Sequence, residues 1–68
     1  MLKNLDFGDA LILMKRGEKV GIPYGFDYFI LESNSLCFEL RTRIDGELIH
    51  PNYMFSNKEL LRTDWQQL

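Results

Sequence analysis

The sequence predicts an α+β fold, with an N-terminal helix packed on a small antiparallel β-sheet and a short helical turn before the last strand. Apolar residues near the N-terminus recur with helical spacing, whereas from Glu18 onwards they alternate with a period of two. The predicted strands are joined by two to four residues, which is too short for the crossovers that parallel strands need. Residues 1–68 are therefore predicted to form a single antiparallel domain.

The first element is a predicted helix that begins after Asp6, whose carboxylate can cap it. Its apolar residues follow the spacing i, i+3, i+4, i+7, at Phe7, Ala10, Leu11 and Met14. Gly17 can take the left-handed conformation that ends a helix. Ile12 and Leu13 widen the apolar stripe, so we expect the sheet to cover one side of this helix and a partner subunit another.

The strands are predicted from the alternation that follows. Val20 and Ile22 indicate a short strand that ends at Pro23, and residues 27–32 form a second, β-rich strand before a turn at 33–35. In the next strand one face is predicted to carry Leu36, Phe38, Leu40, Thr42 and Ile44, and the other Cys37, Glu39, Arg41 and Arg43. Asp45-Gly46 predicts a two-residue hairpin that leads into a strand over 47–50.

The C-terminal part is predicted from one capping motif. Ser56 and Glu59 have the spacing of a capping box, which predicts a helical turn from Ser56 to about Arg62. Residues 64–68 are predicted to form the last strand, with Trp65 packing inward.

Length and composition limit how the fold can be stabilised and what it can bind. A 68-residue core is small, and Cys37 and His50 are the single cysteine and histidine, so neither a disulfide nor a zinc site is expected. We therefore expect self-association. The net charge of −2 argues against DNA or RNA binding, and the five-residue apolar stretch at 10–14 argues against a membrane span or leader. A location in the cytoplasm is the expectation.

Residues typical of catalysis form no recognisable motif in the sequence. Cys37 alternates with charged residues on a predicted strand, and His50 stands alone before Pro51. No phosphate-binding glycine loop or metal-binding histidine pair is present. We therefore expect no catalytic residues, no metal and no cofactor, and predict that the protein is not an enzyme.

Binding is predicted from aromatic and arginine residues. Four of the nine aromatic residues lie close together, namely Tyr24, Phe26, Tyr28 and Phe29. They cannot all be buried on one face of one strand. Exposed rings can stack on a flat ligand or anchor a partner; the alternative is that they complete the core and a dimer interface.

Polar candidates lie elsewhere in the chain. Arg41 and Arg43 can bind phosphate, or can instead pair with acidic residues such as Glu39 or Glu47. Ser56 and Asn57 at a helical N-terminus offer donors to an anionic or ribose-bearing ligand, although capping alone explains the serine.

The two ends of the chain together resemble one family. Residues 7–11 and 14–20 resemble the start "F-G-x-A-L-x-x-L-K-x-G-x-K-V", and residues 53–65 resemble the ending "W-x-P-S-Q-x-D-L-L-x-x-D-W". These motifs are typical of the second type of Thoeris anti-defence proteins, a family of small phage proteins that act as sponges. The resemblance implies a non-enzymatic protein that binds cyclic ADP-ribose isomers or cyclic oligonucleotides made by bacterial immune enzymes. It also implies dimers or dimers of dimers, with ligand pockets between protomers.

The resemblance also implies roles for four residues. Tyr53 stands at the position of the family's tryptophan, Ser56 matches its serine, Asn57 replaces its glutamine and Glu59 its aspartate. Residues 21–24 replace the arginine and tryptophan that usually follow the helix, so that Tyr24 is the ring available there.

These observations predict a phage protein that sequesters a nucleotide-derived immune signal in the cytoplasm of the infected host. Its ligand-binding residues are predicted to be Tyr24, Phe26, Arg41, Arg43, Tyr53, Ser56, Asn57 and Glu59. The rings would stack on adenine, the arginines would meet pyrophosphate, and the polar residues would meet ribose or phosphate. We expect Tyr53→Ala to weaken binding without unfolding the protein. Two alternatives are a protein–protein inhibitor or structural accessory that uses exposed aromatics, and an enzyme that degrades the signal.

Overall fold

An N-terminal helix and a five-stranded antiparallel sheet make up the fold, which confirms the predicted α+β class. The structure is a computed structural model that describes residues 2–68. In chain order its elements are α1 (Phe7–Lys15), β1 (Val20–Gly21), β2 (Asp27–Glu32), β3 (Cys37–Thr42), β4 (Leu48–His50), α2 (Asn57–Leu60) and β5 (Gln66–Gln67). The strands lie in the order β4-β3-β2-β1-β5. Over this range, no helix is long and apolar enough to cross a membrane.

Helix α1 begins and ends as its sequence predicts. The Asp6 carboxylate accepts a hydrogen bond of 2.8 Å from the main-chain N–H of Asp9, which satisfies one of the free donors at the helix start. At the other end Gly17 has a φ of 85°, and its N–H donates to the carbonyl of Met14 at 3.0 Å. A glycine adopts this left-handed conformation without the steric cost that a side chain would add.

The core lies between α1 and one face of the sheet. Its buried residues are Ala10, Leu13 and Met14 from the helix and Val20, Phe29 and Trp65 from the sheet side. Trp65 is 0% exposed, which confirms its predicted inward orientation, and its ring meets those of Phe7, Phe29 and Phe55 edge-to-face. Because aromatic side chains bury large areas, this cluster supplies much of the apolar burial in a small domain.

The central pair of strands fixes which residues share a face. β2 and β3 pair from Asp27 opposite Thr42 to Glu32 opposite Cys37. Phe29 lies opposite Leu40 on the face that α1 covers, so Tyr28 and its partner Arg41 belong to the other face.

Two residues that the alternation placed with the core are exposed instead. Leu36 lies in the turn before β3 with a φ of 56°, and Ile44 lies beyond the end of the strand with 87% of its surface exposed. The prediction was wrong for both residues because β3 begins at Cys37 and ends at Thr42. The alternation of apolar and polar residues continues in the sequence beyond both ends of the strand.

The β3–β4 hairpin is confirmed, but its connection is longer than two residues. The N–H of Thr42 donates to the carbonyl of Glu47 at 3.0 Å, so the loop spans Arg43 to Gly46. The N–H of Arg43 donates to Phe26 at 2.8 Å, so Arg43 remains paired with the chain before β2. This extra pairing separates Arg43 from β4 and lengthens the turn.

Helix α2 confirms the predicted capping box. The N–H of Glu59 donates to the Ser56 hydroxyl at 3.2 Å, and the N–H of Ser56 donates to the Glu59 carboxylate at 2.8 Å. The helix ends at Leu60, two residues before the predicted Arg62.

Candidate functional site

A small cleft brings together three of the eight predicted site residues. Phe26, Tyr53 and Glu59 line a cavity of about 200 Å³ together with Ile22, Phe29 and Leu40. We call this the aromatic cleft. It lies between the segment that links β1 to β2 and the segment that leads into α2. Residues distant in sequence meet there because β1, β2 and β3 are neighbours in the sheet.

The polar wall of the aromatic cleft is a hydrogen-bonded unit. The Tyr53 hydroxyl donates to the Glu59 carboxylate, with oxygen distances of 2.9 and 2.8 Å. The same carboxylate accepts the N–H of Ser56. Glu59 therefore completes the capping box of α2 and fixes the orientation of the Tyr53 ring.

Tyr53 is held as a neutral phenol. Burial, the hydrogen bond to Glu59 and the negative charge of that residue raise the pKa of Tyr53 to about 12. At neutral pH Tyr53 is therefore a hydrogen-bond donor and carries no charge. The two acidic residues that line the aromatic cleft are Glu59 and Asp27.

The Tyr53 ring has a structural role that the sequence did not reveal. Its centroid lies 5.1 Å from those of Phe29 and Phe55 and 5.6 Å from that of His50. Removing the ring would open a gap beside the core, so we no longer expect Tyr53→Ala to leave the fold intact. The accessible ring of the aromatic cleft is Phe26, which is 79% exposed.

The two predicted phosphate-binding arginines are engaged in different contacts. Arg41 donates to the Glu39 carboxylate, with a closest approach of 3.0 Å, and to the carbonyl of Gly46 at 2.8 Å. This pairing is one of the alternatives that the sequence left open. Arg41 thus lies on the uncovered face of the sheet, outside the aromatic cleft.

Arg43 bridges main-chain groups of the β1–β2 segment. Its Nε donates to the carbonyl of Asp27 at 2.8 Å and its Nη2 to the carbonyl of Ile22 at 2.9 Å. The side chain lines a separate and larger cavity of about 450 Å³, together with Lys19 and Tyr28.

The remaining predicted residues lie at the surface. Tyr24 is 99% exposed in the loop before β2 and has a φ of 62°, which is unusual for a bulky side chain. Ser56 is occupied in capping α2, and Asn57 is the exposed first residue of that helix. The structure therefore joins Phe26, Tyr53 and Glu59 with the capping serine and leaves Tyr24, Arg41 and Arg43 outside the aromatic cleft.

The larger cavity contains Tyr28, a member of the predicted aromatic cluster, and Lys19, which the sequence did not single out. Lys19 and Tyr28 meet across β1 and β2, and the Lys19 Nζ lies 4.9 Å from the centre of the Tyr28 ring. The available signal was the alternation around Val20, which places Lys19 and Gly21 together on the face opposite the core. Among residues 2–68, no group of three or more histidine, cysteine, aspartate or glutamate side chains is arranged to hold a metal ion.

Comparisons of the chain with models of known protein families, with curated proteins and with solved structures found no match.

Proposed function

We propose that this chain binds a nucleotide-derived immune signal and sequesters it without cleaving it, as a phage counter-defence protein of the second Thoeris anti-defence type. The ligand class, a cyclic ADP-ribose isomer or a cyclic oligonucleotide, comes from the resemblance of the two ends of the chain. The single structural observation in support is the aromatic cleft, where an exposed phenylalanine, a neutral tyrosine and a carboxylate line one cavity.

The aromatic cleft suits a nucleobase better than a phosphate. An exposed Phe26 ring can stack on a base, since every base offers a π-face. Glu59 and Asp27 can accept hydrogen bonds from the amino group of a base such as adenine. The same carboxylates would repel a phosphate, so we assign only the base of the ligand to this cleft.

The contacts of the polar residues favour holding a ligand over cleaving it. Glu59, the best-placed carboxylate for acid–base chemistry, already accepts the Tyr53 hydroxyl and the Ser56 N–H. Tyr53 would lose its proton only at strongly alkaline pH. A general base must be free to accept a proton near neutral pH; Tyr53 is already protonated there, and both carboxylate oxygens of Glu59 are engaged in hydrogen bonds.

Self-association is part of this proposal. Among residues 2–68, twelve large apolar side chains are exposed, whereas only seven hydrophobic residues of any size are buried, so a second copy would cover surface that a small domain exposes. We propose a homodimer or homotetramer in the cytoplasm of the infected bacterium. Size-exclusion chromatography with light scattering tests this directly, and a monomer at micromolar concentration would contradict it.

The test of ligand binding is calorimetry with a panel of cyclic ADP-ribose isomers and cyclic di- and trinucleotides. We expect one of these to bind, and Phe26→Ala to weaken that binding by about ten- to a hundredfold, the loss expected for one stacking contact. Ile44→Ala is the matched control, because Ile44 is a similarly exposed apolar residue outside the aromatic cleft. Equal affinity of Phe26→Ala and wild type would rule out the aromatic cleft as the base site.

A second candidate function is supported by the conformation of Tyr24. A fully exposed tyrosine in the left-handed region carries a steric cost, and such strain often marks a functional contact. Phe26, two residues further along, is also exposed, and Ile44 is exposed next to Arg43, whose N–H donates to the Phe26 carbonyl. This apolar tip would fit a protein–protein inhibitor or structural accessory.

Substitution of Tyr24 distinguishes the two candidates. Asparagine tolerates the left-handed region better than tyrosine, so Tyr24→Asn is expected to fold at least as stably as wild type. If the chain is a protein inhibitor, this variant loses a stoichiometric host partner that the wild type retains. If the chain is a sponge, nucleotide affinity is unchanged in Tyr24→Asn and reduced in Phe26→Ala.

A further inference from the structure

The cavity beside Arg43 differs in charge from the aromatic cleft. It has a volume of about 450 Å³, and its lining includes two basic side chains, Lys19 and Arg43, together with Glu18 and the Tyr28 ring. The aromatic cleft is lined by carboxylates and by no basic side chain among the described residues. The two cavities therefore favour different chemical groups, although Arg43 contacts the main chain of two residues, Ile22 and Asp27, that line the aromatic cleft.

Arg43 is fixed in place before any ligand binds. Its guanidinium donates to two main-chain carbonyls, through Nε and Nη2, and lies across Gly21. A side chain at position 21 would overlap Nη2, so a glycine is needed there for this placement. Among residues 2–68 no hydrogen bond uses Nη1, which leaves two donors of a pre-oriented guanidinium available.

Lys19 supplies the second positive charge. Its Nζ lies 4.9 Å from the centre of the Tyr28 ring, and Tyr28 is only 7% exposed, so its position is fixed by the surrounding residues. Glu18, the acidic residue of this cavity, accepts a hydrogen bond from the Gln67 side chain. The side chains of the lining thus carry two positive charges and one negative charge in a chain whose net charge is −2.

We propose that this cavity binds a phosphate or pyrophosphate group, held between Lys19 and the free Nη1 of Arg43 next to Tyr28. Arginine guanidinium groups and lysine ammonium groups are the side chains that bind phosphate oxygens in proteins. The cavity is also larger than one phosphate needs, which leaves room for an attached sugar. That the phosphate belongs to a nucleotide rests on the proposed function; the anion site itself rests on the geometry of the cavity.

Titration with inorganic pyrophosphate, followed by amide NMR, tests the proposal. We expect saturable shifts at residues 17–19 and at the Arg43 Nε–H. Lys19→Gln should weaken binding by about tenfold, the effect of losing one charged hydrogen bond. Lys58→Gln is the matched control, because it removes the same charge from an exposed lysine on α2 and should leave the affinity unchanged. Arg43→Gln should also weaken binding, but it removes two structural hydrogen bonds, so Lys19→Gln is the decisive variant.

Three outcomes of this experiment have distinct meanings. If pyrophosphate produces no saturable shift, or if Lys58→Gln loses as much affinity as Lys19→Gln, the site is wrong and only overall charge is at work. If pyrophosphate binds through Lys19 but no member of the nucleotide panel binds, the anion site stands and the proposed function fails. If a nucleotide binds through Phe26 with an affinity that Lys19→Gln does not change, the proposed function stands and the assignment of the nucleotide's phosphate to this cavity is overturned.

Discussion

The indole Nε1 of Trp65 donates a hydrogen bond of 3.1 Å to the main-chain carbonyl of Glu59. This contact joins the centre of the core to the residue whose carboxylate forms the polar wall of the aromatic cleft. Glu59 is thereby held from both ends, by Trp65 at its main chain and by Tyr53 and Ser56 at its side chain. The position of the candidate site therefore depends directly on the packing of the core.

Removal of the Trp65 side chain should abolish folding of the isolated chain. Truncating a buried tryptophan to alanine costs about 3–5 kcal/mol. A core in a domain this small supplies about the same amount, ~3–5 kcal/mol. We therefore expect Trp65→Ala to be largely unfolded by circular dichroism. Trp65→Phe keeps an aromatic ring in the cluster and should remain folded with a lower melting temperature; a folded Trp65→Ala would show that the cluster is not the main source of stability.

The Tyr53 hydroxyl should make the protein sensitive to alkaline pH. Its pKa is about 12 in the folded chain against an ordinary value of 10.0, so the unfolded chain loses this proton first. The contribution to stability is therefore complete below pH 10 and is lost as the pH rises from 10 to about 12. Urea unfolding over this range should show the loss in wild type and a smaller loss in Tyr53→Phe. Tyr24→Phe is the control, and should behave like wild type because Tyr24 lies outside the hydrogen-bonded unit.

Two substitutions of Ser56 distinguish a role in capping α2 from a role in ligand binding. Replacing this N-cap residue with alanine removes one hydrogen bond to the start of α2 and should lower the free energy of unfolding by about 1 kcal/mol. Ser56→Asp keeps the cap and should be nearly as stable as wild type. If Ser56 also contacts the ligand, both variants will lose affinity in calorimetry, whereas a residue that only caps will show unchanged affinity in Ser56→Asp.

Substitution of Gly21 should weaken pyrophosphate binding by displacing the Arg43 side chain. In Gly21→Ala the new methyl group overlaps the Arg43 Nη2, and the end of a flexible side chain can move aside more easily than the main chain. We expect the Arg43 Nε–H resonance to shift and the pyrophosphate affinity to fall. Gly21→Ala should also lower the stability of the wild type. It should lower the stability of Arg43→Gln much less, since the overlapping group is gone there. Equal effects in the two backgrounds would mean that Gly21 matters for another reason, such as its approach to Leu68.

Local features of the fold were predictable because local chemistry specifies them. The cap at Asp6, the capping box of Ser56 and Glu59 and the bounds of the strand at 27–32 all follow from residues within a few positions of one another. The exposed Leu36 and Ile44 were not predictable from alternation, because the length of a strand depends on how far its neighbour runs beside it.

The candidate site was predictable only in part. The motif at the end of the chain predicted that Tyr53 and Glu59 belong to the same binding site, and in the structure they are joined by a hydrogen bond. Arg41 and Arg43 looked equivalent in sequence. Arg41 pairs with Glu39, whereas Arg43 lies across Gly21 and donates to the carbonyls of Ile22 and Asp27. Such differences arise from contacts between distant parts of the chain, which spacing alone does not reveal.

The most direct measurement is recovery of the ligand after binding. The chain is saturated in calorimetry with the member of the cyclic ADP-ribose and cyclic oligonucleotide panel that binds, the complex is denatured by heat, and the released compound is identified by mass spectrometry. We predict that the compound is recovered unchanged and in stoichiometric amount. Recovery of a cleaved product, or the failure of every member of the panel to bind, would contradict the proposal that the protein sequesters a nucleotide signal.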